Sequence, residues 1–378
     1  MWVYKMKRVA VLGCTGSIGK TCLEIIRKHK DDFQVVLLAN GSQKEELLTL
    51  VKEFRPEIAY CSNGTYIVNG NEKPFDKDVL SRPETYRHVD IVVNGIVGLA
   101  GLAPTLAVVE AGKNLATANK ESIVCGGELL QKLLKNSKTE LRPVDSEHST
   151  VWQCLEEKDN VKRIILTASG GAFRAWDKEK IAKAKAVDAL RHPNWVMGKK
   201  VTIDCATLVN KGMEIIEAKR LFGIDDVDAV MHGESIVHSM VEMKDGTIKA
   251  GLSTPDMTLP IQYALTYPKR METTVPFLDL IKQKTLTFGR LDEDKFPCFS
   301  LCKKVSEYGD YAGTVLNAAD ETAVEYYLQD KIGFYDIYSC IESALHKFGY
   351  EGIINDKEDI FRIDKEVREY SIRYFEEK

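Results

Sequence analysis

Arg8–Gly19 reads RVAVLGCTGSIG: a short apolar run, a turn with glycines at 13, 16 and 19, and then a stretch to His29 whose apolar residues recur at helical spacing. A strand that enters a helix through GxxGxxG brings backbone amides and a helix N-terminus close to a pyrophosphate. Strand, turn and helix in register make this a dinucleotide loop rather than a bare glycine pattern. Working outward, short apolar runs predict strands at Arg8–Leu12, Gln34–Ala39, Glu57–Cys61, Asp90–Asn94, Asn114–Ala118 and Leu141–Val144. Between them, Ile18–His29, Lys44–Phe54, Pro104–Ala111 and Ser122–Leu134 have helical spacing. Strands alternating with helices predict a parallel sheet covered on both faces, the doubly wound α/β layout.

The chain has 378 residues, and single cores stop growing at roughly 250–300 residues, so two or three domains are expected. The expected fold class is α/β, with an N-terminal Rossmann-like doubly wound sheet over 1–144. A central α+β domain follows over 145–275, then a connector over 276–297 and a C-terminal helical domain over 298–378. In the central region strands are predicted at Arg163–Ala168, Ala229–His232, Ile236–Glu242 and Thr247–Leu252, and helices at Lys178–Leu190 and Ala206–Leu221. Beyond the connector, Ala318–Leu328, Tyr335–Phe348 and Asp356–Phe375 have helical spacing, and the charges after Arg368 read as a solvated face.

With 52 Lys+Arg against 56 Asp+Glu, the net charge of -4 excludes a global attraction to nucleic acid or anionic membrane, so any phosphate recognition is local. The nine cysteines are scattered with no CxxC pair and read as reduced thiols of a cytoplasmic protein. The opening MWVYKMKRVAVLG runs directly into a strand, which does not read as a leader peptide. Ile91–Val109 lacks charge, but Asn94, Gly95, Gly98, Gly101 and Pro104 interrupt it, so it reads as strand, glycine turn and helix rather than a membrane span.

The second strand ends in Asn40-Gly41-Ser42-Gln43-Lys44, where an acid would normally hold a ribose 2′-hydroxyl. Neutral donors and a cation suit a 2′-phosphate, which favours NADPH over NADH. At Val144–Ser149 (VDSEHS), an extended chain would point Asp145 and Glu147 to one side, where they persist together if one is protonated, if a cation neutralises them, or if both are solvated. An all-oxygen pair favours Mg²⁺ or Mn²⁺ over zinc, with Co²⁺ admissible. Thr167–Gly171 leaves a strand in a glycine turn suited to an anion, and His192-Pro193-Asn194-Trp195 has the composition of a lid or of a surface loop covering an apolar patch. In DCATLVNKGMEIIEA (204–218), read as starting at a strand end, Asn210 and Glu214 share a helical face with Lys211 beside them, among apolar neighbours that imply burial.

In order along the chain stand GCTGSIG, ANKES, VDSEHS, SGGAFR, HPNWxMGxK and DCATLVNKGMEIIEA, with GTVLNAADE (313–321) further on. Together they resemble the 1-deoxy-D-xylulose 5-phosphate reductoisomerase family over nearly the whole chain. The resemblance implies an NADP-dependent oxidoreductase of non-mevalonate isoprenoid biosynthesis. It would convert 1-deoxy-D-xylulose 5-phosphate and NADPH to 2-C-methyl-D-erythritol 4-phosphate with a divalent cation, as a homodimer. It implies Asp145, Glu147 and Glu214 as metal ligands and Lys120 and Ser146 at the substrate's oxygens. Ser169, His192, Asn210 and Lys211, with Cys205, would hold the sugar phosphate, chiefly at its phosphate, and Trp195 would belong to the closing lid. Thr15, Gly16, Ser17, Ile18, Gly41, Ser42, Gln43, Asn119, Glu121 and Gly198 match positions that touch NADPH.

Three departures stand out. Cys205 and Cys14 occupy positions where the family usually has Ser, and a thiol is the weaker donor. MHGES (231–235) replaces a more usual His-Pro-Gln-Ser, with no catalytic consequence visible in the residues. Two other readings compete: a semialdehyde dehydrogenase with Cys205 as nucleophile beside His192, needing no metal, and a nucleotide-sensing module without catalysis.

Overall fold

The computed structural model describes residues 6–195 and 197–377, so the opening MWVYK lies outside the described residues. In chain order the elements are β1 (Lys7–Leu12), α1 (Ser17–Lys28), β2 (Phe33–Asn40), α2 (Lys44–Phe54), β3 (Ile58–Cys61), β4 (Thr65–Val68), β5 (Asn71–Glu72), β6 (Ile91–Asn94), α3 (Leu102–Glu110), β7 (Asn114–Thr117), α4 (Lys120–Leu134), β8 (Leu141–Pro143), α5 (Ser146–Cys154), β9 (Val161–Ala168), α6 (Lys178–Ile181) and α7 (Ala186–Ala189). They continue as α8 (Lys199–Thr207), α9 (Val209–Phe222), β10 (Val227–Met231), β11 (Val237–Met243), β12 (Ile248–Leu252), α10 (Thr258–Thr266), α11 (Leu280–Gln283), α12 (Pro297–Val305), α13 (Asp310–Leu328), α14 (Phe334–Phe348) and α15 (Lys357–Glu376).

The chain forms two compact units, each discontinuous in sequence: Met1–Ser122, Leu130–Ser149 and Asp256–Pro276 make the first, and Ile123–Leu129, Thr150–Pro255 and Phe277–Lys378 the second. The first unit holds an eight-stranded sheet in the order β5-β4-β3-β2-β1-β6-β7-β8. Strands β3, β2, β1, β6, β7 and β8 are parallel, and the β4–β5 hairpin extends one edge antiparallel. Val9–Leu12 are fully buried, as expected of a central parallel strand covered on both faces, and this is why β1 reads as an unbroken apolar run. Helix α1 buries Cys22, Leu23, Ile25 and Ile26 on one face and carries Arg27 and Lys28 in its last turn, where cations complement the helix dipole. Each of its Leu and Ile side chains contributes about 1.5–3 kcal/mol by burial. Helix α10 joins this core through Ile261, Ala264 and Leu265. Arg142 donates to the carbonyl of Ala264 (2.8 Å) and Lys7 to that of Leu265 (3.0 Å). Ile91–Val109 resolves into β6, a short turn and α3, and no helix of the described residues is long and apolar enough to cross a membrane.

The second unit has a four-stranded sheet, β10-β9-β11-β12, parallel between β10 and β9 and antiparallel elsewhere, with α6–α9 and the helical α11–α15. Three local expectations are corrected here. Lys178–Leu190 is two short helices, α6 and α7, rather than one. Ala206–Leu221 is broken at Leu208, which adopts a left-handed conformation (φ 62°) between α8 and α9, so Asp204 lies within a helix and not at a strand end. The C-terminal charges are not all solvated: Arg368 on α15 bonds Asp364 (2.8 Å) and reaches Glu321 on α13.

Candidate active site

The strand order reverses between β1 and β6, and ligands of open α/β sheets bind outside the carboxyl ends of the strands at such a point. There Gly13 has φ +78°, and a Cβ on it would sit 2.5 Å from the carbonyl oxygen of Gly95. A Cβ on Gly19 would sit 2.3 Å from the carbonyl of Gly13, so the turn closes only with glycine at both positions. Gly16 and Ser17 at the start of α1 are exposed, and no side chain caps the helix N-terminus. Cys14 is buried, and burial pushes its thiol up to about 12, so the substitution for serine leaves a packing group and not a reactive one. Asn40 turns its amide onto the carbonyl of Gln43 (2.8 Å) and leaves Gly41, Ser42 and Gln43 exposed before α2. The side-chain amide nitrogen of Asn119 reaches the turn after β6, 2.9 Å from the carbonyls of both Ile96 and Gly98, and lies 2.8 Å from Glu121 Oε2, so its two hydrogens are shared among these acceptors.

The acidic cluster is built differently from the extended strand end expected for it. Pro143 ends β8 and Ser146 begins α5, so Asp145 and Glu147 are neighbours through a helix start and not through strand alternation. Asp145 accepts the amide N–H of Glu147 at Oδ1 (3.2 Å), satisfying one of the open donors of a first turn. Its Oδ2 accepts Lys120 Nζ (2.9 Å), and His148 Nδ1 lies 3.3 Å from Oδ1. Ser146 donates to Glu147 Oε2. Carboxylate oxygens of Asp145 and Glu147 lie within 4.8 Å of each other, a separation one hard cation can bridge. Oxygen donors, partial burial and the ammonium of Lys120 beside Asp145 fit a divalent ion of the Mg²⁺ or Mn²⁺ class.

In the second unit, α9 carries Asn210, Lys211 and Glu214, the last two buried. Asn210 donates to Glu214 Oε1 and Lys211 to Oε2, so the shared face expected from the sequence is realised as a hydrogen-bonded set. A separate cluster joins Ser169, after β9, to His192. The His192 Nδ1 accepts the backbone N–H groups of Asn194 (3.2 Å) and Trp195 (3.0 Å), which places the ring proton on Nε2, 3.0 Å from Ser169 Oγ. Ser169 Oγ also accepts the N–H of Gly171 (3.3 Å), leaving its own O–H to donate to an anion. Burial, and then the nearby Arg174, pull His192 down to about 4. Because the unfolded ring titrates at about 6.5, protons bind the unfolded chain first as pH falls. The ring's contribution to stability is therefore complete above that value and lost across the window down to about 4. We expect the imidazole resonances of His192 to titrate near pH 4 in NMR; a midpoint near 6.5 would contradict the buried, doubly accepting geometry.

Two contributors were not legible in the sequence. Asn194 donates from its amide to the carbonyl of Gly233 (2.8 Å) and to Ser235 Oγ (2.8 Å), and Arg174 donates to the same carbonyl (2.6 Å). The MHGES segment, read as inconsequential, thus latches the loop that carries His192 and Trp195. A Cβ on Gly233 would meet Arg174 Nη1 at 2.6 Å, so this departure from proline makes room for the guanidinium. Trp195 faces His238 with ring centroids 6.4 Å apart.

Family models for 1-deoxy-D-xylulose 5-phosphate reductoisomerase match residues 9–127, and models of its C-terminal domains match 141–222 and 252–370. The 1-deoxy-D-xylulose 5-phosphate reductoisomerase of Crocosphaera subtropica is 44% identical over 379 residues, spanning 96% of this chain and 95% of its own length. That of Clostridium botulinum (strain Okra) is 42% identical over 379 residues, spanning 97% and 98%. Among solved structures, a DOX-P reductoisomerase in complex with NADPH, fosmidomycin and magnesium superposes with a TM-score of 0.92 at 36% identity over 98% of each chain. The enzyme from Zymomonas mobilis in complex with NADPH gives 0.88 at 34% identity, over 98% of this chain and 100% of that one. Matches of this identity, continuous from the glycine turn to the C-terminal helices, show that the chain belongs to the 1-deoxy-D-xylulose 5-phosphate reductoisomerase family.

Proposed function

We propose that the chain converts 1-deoxy-D-xylulose 5-phosphate to 2-C-methyl-D-erythritol 4-phosphate, using NADPH and a divalent cation, in isoprenoid biosynthesis. The observation that carries this reading is the near-full-length likeness to enzymes of that name, joined to an oxygen-only acid pair beside a lysine. Asp145, Glu147 and Glu214 would hold the cation. When bound, such an ion polarises a carbonyl and stabilises negative charge on substrate oxygens.

The remaining work falls to the chain's own groups. Lys120, held by Asp145, and Ser146 would orient the substrate's oxygens, and the lysine's charge would favour an oxyanion there. His192 would donate from Nε2, and Ser169, Asn210 and Lys211 would receive the phosphate, with Cys205 in the place of a stronger hydroxyl donor. Trp195 would cover the bound sugar and exclude water. The phosphate takes no part in the chemistry, so its binding energy is available to order the loop. On the cofactor side, Thr15, Gly16, Ser17, Ile18, Gly41, Ser42, Gln43, Asn119, Glu121 and Gly198 would line the NADPH path. A cytoplasmic homodimer is part of the same proposal. The semialdehyde dehydrogenase and nucleotide-sensor alternatives have no support in the family match.

The test is loss of NADPH absorbance on adding 1-deoxy-D-xylulose 5-phosphate. We expect oxidation that requires both compounds, stops with EDTA and returns with Mg²⁺ or Mn²⁺. Oxidation that ignores the sugar phosphate, or survives chelation undiminished, would remove the proposal.

A further inference from the structure

One cluster of charged side chains takes no part in the chemistry described above. Lys200 on α8 places its ammonium between Asp204, one turn on in the same helix (2.5 Å), and Asp320 on α13 (2.7 Å). Asp204 and Asp320 are buried, Asp320 completely. Burial pushes the Asp320 carboxyl up, opposed by the lysine, and the flanking Glu321 pushes it further up. Beside it lie the buried thiols of Cys298 and Cys302 on α12, which feel the same acids and carry no charge. Two acids around one lysine in such a place form a specific, directional tie between helices 120 residues apart in the chain.

What this tie holds is informative. Lys200 follows Gly198 by two residues, and Gly198 ends the loop of His192 and Trp195; its carbonyl accepts Thr202 Oγ1 (2.9 Å). Asp204 immediately precedes Cys205. On another side of α8 the glycine turn after Ser169 is in direct contact: a Cβ on Gly171 would sit 2.5 Å from the carbonyl oxygen of Cys205. Helix α8 ends at the left-handed Leu208, and α9 begins at Val209, directly before Asn210 and Lys211. A shift of α8 therefore moves Cys205, the Ser169 turn and the start of α9 together.

We propose that Lys200, Asp204 and Asp320 are positioning residues that dock α8 on α13 and so set the geometry of the groups that receive the substrate's phosphate. The inference rests on the reading of Ser169, Cys205, Asn210 and Lys211 as that phosphate site. The three residues act through α8 and touch neither substrate nor cofactor.

Asparagine at 320 keeps an acceptor for the lysine and the volume of the acid, whereas alanine removes both. With the full-length enzyme, cofactor and metal, we expect Asp320→Ala and Lys200→Met to raise KM for 1-deoxy-D-xylulose 5-phosphate about tenfold, with kcat changed less than about threefold. The inhibition constant of inorganic phosphate should rise by a similar factor. Asp320→Asn should stay within about twofold of wild type on both. If Lys200→Met does not fold, Asp320→Ala against Asp320→Asn carries the test. Variants that lose thermal stability while both constants stay at wild-type values would overturn the proposal. So would a fall in kcat alone, or an asparagine variant as impaired as alanine. Failure of the underlying reading would show separately, as wild-type enzyme that does not oxidise NADPH with this substrate.

Discussion

Glu147→Gln is expected to lower kcat/KM for sugar-phosphate-dependent NADPH oxidation by about a thousandfold, the loss of several kcal/mol of charge stabilisation that a metal supplies. The substitution keeps the side chain's shape and a hydrogen-bonding oxygen for Ser146, but removes one negative charge from a pair whose carboxylate oxygens lie within 4.8 Å. Without a cation those charges repel, with Lys120 bonded to Asp145 as a partial counterweight. The fold should therefore tolerate the change: a thermal midpoint equal to or above that of the wild type in EDTA is expected, and the stabilisation by added Mg²⁺ should shrink. Steady-state kinetics over a Mg²⁺ titration, paired with thermal melts, separate the two effects. Undiminished turnover in the variant would remove Glu147 from the metal site.

Gly212→Ala is the second large effect. Gly212 lies on α9 between Lys211 and Met213, and a Cβ there would sit 2.2 Å from Cys302 Cβ and 2.7 Å from its Sγ on α12. Alanine would gain about 1 kcal/mol of helix propensity over glycine, against about 1–3 kcal/mol for forcing a methyl group into a packed interface. Neither helix can yield without carrying its side chains along, and α9 carries Asn210, Lys211 and Glu214. The expected outcome is a net loss of stability of up to about 2 kcal/mol in denaturant melts, with kcat/KM reduced about ten- to a hundredfold by misplacement of those groups. The double variant Gly212→Ala with Cys302→Gly removes the Cβ and Sγ that the new methyl group would meet. It should recover activity while keeping a propensity cost at 302, so the two changes are strongly non-additive. Additive effects would show that the contact is not what limits the single variant.

The fold was legible wherever burial leaves a period in the sequence. Strand β1 is covered on both faces and reads as an unbroken apolar run, helix α1 is covered on one face and shows helical apolar spacing, and Lys44–Phe54 was recoverable to the residue. The glycine turn was legible because Gly13 and Gly19 meet backbone that admits no Cβ. The acids and the residues proposed to receive the phosphate stood out as residue types in a familiar order. Their local geometry was not, since the chain after Val144 coils at once when Asp145 accepts the N–H of Glu147. Leu208 was missed for a related reason: an apolar residue in a left-handed turn looks the same in sequence as one inside a helix.

By itself the amino-acid order determined the doubly wound sheet, the dinucleotide turn, the family and the residue types on which the proposed cation and phosphate sites draw, because these depend on neighbours along the chain or on chemistry fixed by residue type. Tertiary structure alone decided that Asp256–Pro276 packs into the first unit, that Asn194 latches onto Gly233 and Ser235, and that Lys200 finds Asp320 across 120 residues. Such contacts depend on surfaces that exist only after separate helices and strands have packed. A single pair of complementary groups far apart in the chain leaves no periodic trace, and its energy depends on burial that no local window contains.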